Sequence, residues 1–101
     1  MIHLTDDEMR IILAVLKVHA VDCDVFIFGS RYGGLPKKFS DVDLAFAQRD
    51  GEKLSLSRRN RIALAFSESD LPYLVDVVDY HSCHVSFQAI IDQHCKQIYP
   101  D

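Results

Sequence analysis

The run Val25-Phe26-Ile27-Phe28, bounded by Asp24 and Gly29, is the feature that most constrains what this chain can fold into. Successive side chains of a strand point to opposite faces, so four β-forming apolar residues in a row require cover on both sides. A strand of that kind belongs inside a layered domain, with helices packed on a sheet.

The flanking segments predict those layers. Thr5 followed by Glu8 is a capping box, and Met9, Ile12, Leu13 and Leu16 then recur at helical spacing, so an amphipathic helix is expected from Asp6 to His19. A second strand is expected from Asp41 or Val42 to Ala47, closed by a turn at Gly51. Leu54, Ile62, Leu64, Ala65 and Phe66 populate a helix beginning near Ser55, on which Arg58, Arg59 and Arg61 read as a solvated face. Pro72 stops any helix before a third strand, Tyr73 to Val78. Val85 to His94 reads as a closing helix, and Lys96 to Tyr99 as a short tail or edge strand. The order predicts an α/β (α+β) fold, with a small sheet flanked by helices in one domain, residues 1–101.

Composition narrows the partners. With 101 residues, 49% hydrophobic and 26% charged, the chain fits one soluble globular domain. No apolar stretch approaches the ~20 residues of a membrane span, and the chain start runs straight into Asp6, Asp7 and Glu8, so a cytoplasmic protein is expected. Cys23, Cys83 and Cys95 have no CxxC spacing and fit reduced thiols used in packing. His81, Cys83, His84, His94 and Cys95 lack the spacing of a zinc site. A net charge of -4 argues against a general grip on a nucleic-acid backbone, which needs Lys and Arg to neutralise phosphates. A phosphate site would have to be local and metal-assisted.

Such a site is legible between the first two strands. Asp41 and Asp43 share a strand face by parity, with Val42 and Leu44 on the other, and their Cα atoms lie roughly 7 Å apart at ~3.3 Å per residue. Two like charges this close raise each other's pKa, and a divalent cation removes the conflict. Hard carboxylate oxygens are the ligands Mg²⁺ takes when it also carries substrate phosphates. Upstream, Gly29-Ser30 ends a strand and opens a turn, where glycine permits close approach and free N–H groups with a hydroxyl can receive an anion.

Gly29-Ser30, ten residues, then Asp41-Val42-Asp43 resembles the GS-x10-DxD signature of the polymerase β-like nucleotidyltransferase superfamily. The size of the chain is similar to that of the minimal nucleotidyltransferases, the MNT antitoxins paired with HEPN-domain toxins. The resemblance implies the mixed sheet of that fold and transfer of AMP from ATP to a tyrosine hydroxyl of a HEPN RNase, with two Mg²⁺ ions. It assigns Asp41, Asp43 and Asp76 as metal ligands and catalytic carboxylates, and Gly29, Ser30, Arg31 and Ser40 to the nucleotide. Asp79 lies on the opposite strand face from Asp76 by parity and is expected to cap the following turn. Relatives commonly continue GS with Arg, a small residue, a basic residue and Gly. Here Arg31 and Gly34 match, while Tyr32 is bulky and Gly33 carries no charge. Lys37 and Lys38 read as an exposed loop. Two further readings stay open, a non-catalytic antitoxin of the same fold that masks its partner, and a free-standing small-molecule nucleotidyltransferase.

Overall fold

The computed structural model describes residues 1–100. Helix α1 (Asp6–His19) starts at the expected capping box: the Thr5 hydroxyl accepts from the Glu8 N–H, and the Glu8 carboxylate accepts from the Thr5 N–H at 2.9 Å. Strand β1 (Cys23–Phe28) follows, then a single 3-10 turn over Gly29–Arg31 and strand β2 (Val42–Gln48). Helix α2 (Leu56–Ser67) is capped by Ser55 and leads to strand β3 (Val75–Asp79). A second 3-10 turn over Tyr80–Ser82, helix α3 (Val85–Gln93) and strand β4 (Lys96–Tyr99) complete the elements of the described residues.

The four strands form one mixed sheet in the order β3-β2-β1-β4. β1 runs antiparallel to both β2 and β4, whereas β2 and β3 are parallel, joined across the sheet by α2. Parity divides the sheet's side chains between two layers of unequal depth. Val25 and Ile27 of β1, Leu44 and Phe46 of β2 and Val77 of β3 meet Ile12 and Leu16 of α1 and Ile62 and Phe66 of α2 in the main core. On the other face Phe28, Ala45 and Ile91 form a smaller cluster beneath α3, with Phe26 and Val78 packed against it.

Strand β1 is covered on both faces, as expected, but to unequal depth: Phe28 is buried under α3 on the second face. Cys23, Val25 and Ile27 are fully buried, whereas Asp24 and Phe26 are only half-buried. A helix of nine residues cannot cover a four-stranded sheet, and α3 leaves the face it lies on open at its ends. The arginine face of α2 is revised in part. Arg58 ties three elements together: its guanidinium pairs with the Asp22 carboxylate and donates to Gln48 Oε1 at 2.7 Å and to the His19 carbonyl at 3.1 Å. Arg59 donates to the Val77 carbonyl at 3.2 Å while remaining exposed, as Arg61 is.

All three cysteines are free, and Cys23 is fully buried. Burial pushes its thiol up to about 11 from an ordinary value of 9.0. The unfolded chain releases that proton at lower pH than the folded chain does. The thiol's contribution to stability is thus complete below pH 9.0 and is lost as pH rises toward 11. Urea unfolding is expected to show wild type losing about 2–3 kcal/mol across this interval beyond any loss in Cys23→Ala, at ~1.4 kcal/mol per unit of pKa difference. Parallel pH profiles for the two proteins would refute it.

Candidate active site

The strand register brings the acidic residues into a row. Asp43 of β2 lies opposite Phe28 of β1 on one side and opposite Asp76 of β3 on the other. All three belong to the face that α3 only partly covers. Asp41 stands just before β2, exposed, with fully buried Val42 between it and Asp43. The Val42 N–H donates to the Leu74 carbonyl at 2.9 Å, which fixes the start of β2 beside β3.

Gly29 closes the row from the side of β1. Its φ of +76° is in the left-handed region, and a Cβ there would collide with the Asp43 carboxylate, whose Cγ would lie 3.0 Å away. Glycine thus lets the turn come into van der Waals contact with the carboxylate. Ser30 follows in the same turn, half-buried at the rim.

The electrostatics of Asp43 follow from this packing. Burial, then the neighbouring charges of Asp76 and Asp41, hold its carboxyl above the usual carboxylate range. Among the described residues no three His, Cys, Asp or Glu side chains converge tightly enough to grip an ion on their own. The donor set nevertheless fits a hard divalent cation: Asp43, partly desolvated, has Asp76 across the register and Asp41 two residues before it, both opposing it by like charge.

Asp79 is set apart. It points into the main core, is only 4% exposed, and its Oδ2 accepts from the Leu54 N–H at 3.0 Å and the Ser82 hydroxyl at 2.5 Å. One carboxylate oxygen thus ties the entry to α2 and the turn after β3 together, while its Oδ1 is buried without a partner.

Arg31 and Ser40 are both engaged by the loop that leads from the Gly29 turn to Asp41. Arg31 is only 5% exposed, and its guanidinium donates to the carbonyls of Ser40, His3 and Lys38 at 3.0, 3.1 and 3.3 Å while lying 3.7 Å from the Tyr73 ring centroid. Ser40 holds the same loop, its hydroxyl accepting from the Lys37 N–H at 2.8 Å. Three backbone acceptors, one on each guanidinium nitrogen, let Arg31 position the loop between Gly29 and Asp41. Lys37 and Lys38 are exposed on that loop, with Lys38 near the Phe39 ring.

The histidines and cysteines do not gather into a metal centre among the described residues. The His81 ring bonds the Gln48 carbonyl at 3.1 Å, and His84 caps α3 by accepting from the Ser86 N–H. A groove of about 480 Å³ opens beside the Gly29-Ser30 turn and is walled on its far side by Ile90 and His94. Sequence spacing carried no signal for His94 as part of this site, because only the packing of α3 brings it there.

A glycine-serine turn in contact with a carboxylate row, carried on a mixed sheet with helices on both faces, defines the nucleotidyltransferase class of fold. The family model for Polymerase beta, Nucleotidyltransferase matches residues 12–101, and the chain belongs to that family. The probable protein adenylyltransferase MntA of Haemophilus influenzae is 40% identical over 88 residues, spanning 87% of this chain and 75% of that protein. A toxin-antitoxin crystal structure with AMP-PNP has a TM-score of 0.77 at 22% identity, covering 92% of this chain and 73% of that one. A tri-AMPylated Shewanella oneidensis HEPN toxin in complex with MNT antitoxin gives a TM-score of 0.71 at 19% identity, covering 97% and 74% of the two chains. At these identities the structural likeness establishes the shared fold. No helix among the described residues is long and apolar enough to cross a membrane.

Proposed function

We propose that this chain is an antitoxin-type protein adenylyltransferase, which moves AMP from ATP to a tyrosine hydroxyl of a cognate HEPN-domain toxin. The observation that carries the reading is the contact between the Gly29 turn and Asp43, with Asp76 opposite in the parallel register. It is supported by the 40% identity to the H. influenzae protein adenylyltransferase. Gly29 and Ser30 receive the phosphates of ATP through backbone N–H groups and the Ser30 hydroxyl. Asp41, Asp43 and Asp76 hold two Mg²⁺ ions, which when bound neutralise charge on the attacking and leaving oxygens.

The tyrosine oxygen attacks the α-phosphorus in line. A new P–O bond forms, the bond from that phosphorus to the oxygen bridging to the β-phosphate breaks, and pyrophosphate leaves. Asp76, exposed beside Asp43, takes the hydroxyl proton. The acceptor enters from the open end of the sheet face that α3 does not reach.

The test is incubation with ATP labelled at the α-phosphate, Mg²⁺ and the product of the neighbouring gene. The label is expected on a tyrosine of that protein, with pyrophosphate released in equal amount. Neutralisation of the toxin without any label transfer would replace catalysis by stoichiometric masking.

A further inference from the structure

Position 33 is a glycine where a basic residue could have faced the phosphates, and the structure puts another side chain in its place. Gly33 has φ +73°, and a Cβ built on it would run into the imidazole of His94, with Cε1 only 3.0 Å away. His94 comes from the other end of the chain as the C-cap residue of α3, its own N–H held by the Ile91 carbonyl at 3.1 Å. Its ring rests against Tyr32, centroids 4.8 Å apart. Tyr32 is itself fixed, since it bridges to Ile2 and its N–H donates to the Gly29 carbonyl at 3.0 Å. Gly33 is tethered in turn by donating to the Met1 carbonyl at 2.8 Å.

These contacts aim an exposed imidazole into the groove that Gly29 and Ser30 also line. Neither nitrogen of the ring hydrogen-bonds another described residue; Nε2 is the ring atom packed closest to Gly33, and Nδ1 lies away from that contact, open to a ligand. Arg31, nearest in sequence, is buried and turned to three backbone carbonyls. The groove is therefore lined by hydrogen-bonding groups from two distant parts of the chain, the Gly29-Ser30 turn and His94.

We propose that His94 contacts the polyphosphate tail of the nucleotide, the phosphates that leave rather than the one transferred, and so sets affinity for the triphosphate. This inference rests on the adenylyltransferase reading above. The imidazole donates an N–H to a phosphate oxygen across the groove, and Tyr32 with Gly33 holds its ring at the required height.

The test uses the full chain with Mg²⁺. Isothermal calorimetry on wild type is expected to detect both inorganic tripolyphosphate and a non-hydrolysable ATP analogue. His94→Gln is expected to weaken both about tenfold, equivalent to ~1.4 kcal/mol. AMP binding should stay unchanged, as should the thermal unfolding midpoint. In the transfer assay the variant's KM for ATP should rise about tenfold with kcat within a factor of two, and His94→Lys should recover most of the affinity. Equal weakening of AMP, or failure of His94→Lys to recover affinity, would make His94 a packing partner of Tyr32 and overturn the proposal. Wild type that binds neither polyphosphate nor analogue would overturn the nucleotide site itself. Binding of both ligands unaffected by His94→Gln would overturn only the role of His94.

Discussion

Asp43→Asn is expected to reduce AMP transfer at least about a thousandfold and, in Mg²⁺-free buffer near neutral pH, to raise the thermal unfolding midpoint. The first effect follows from the central place of Asp43, in contact with the Gly29 turn and opposite Asp76. Losing a ligand of the cation proposed to neutralise transition-state charge removes several kcal/mol. Each ~1.4 kcal/mol is a factor of ten in rate. The second effect has the opposite sign because the ionised carboxylate is a strain on the empty fold. Burial and the charges of Asp76 and Asp41 raise its folded pKa above the ordinary 3.8. A group shifted that way stabilises below its unfolded pKa, and the contribution is lost as pH rises through the folded value. Asparagine keeps the shape and removes the charge. Mg²⁺ should then raise the wild-type midpoint and leave the variant's nearly unchanged. A variant that loses both activity and stability would instead mean that Asp43 serves the fold.

Much of this arrangement is readable from the sequence because it is local. The Thr5 and Glu8 pair marks the start of α1, and the apolar run before Gly29 marks β1, since both signals lie within a few residues of the element they define. Parity separates Asp76 from Asp79, which the structure puts in contact with different partners on opposite faces of β3. Local signals fail where a side chain answers to distant carbonyls. Nothing beside Arg31 in the sequence marks the bond its guanidinium makes to the His3 carbonyl. Arg58 reads as solvated because its partners Asp22 and His19 come from elements far back in the chain. His94 reaches the groove only because α3 packs over Phe28 and Ala45, and no pattern within ten residues of it encodes that.

Arg31→Ala is expected to lower the free energy of unfolding by about 3–5 kcal/mol and to release the loop between Tyr32 and Ser40. Hydrogen bonds from a charged donor are each worth about 1.5–3 kcal/mol net. Arg31 makes three, to His3, Lys38 and Ser40, and no carboxylate shares its charge among them. The values do not add, because carbonyls on an exposed loop can turn to water once the guanidinium is gone. That rehydration is what opens the loop. Lys38 is bound through its carbonyl in the wild type, so limited trypsin digestion should cut after it at least about tenfold faster in the variant. Arg31→Lys should recover little, since a single ammonium cannot serve three acceptors spread over the fork of a guanidinium. The same loop carries Asp41 into the carboxylate row, so KM for ATP and kcat should worsen together. If digestion at Lys38 were unchanged while ATP affinity fell, Arg31 would be facing the nucleotide after all, and the loop would be held by the Ser40 hydroxyl and the N-terminal strap formed by the Met1 and His3 backbone.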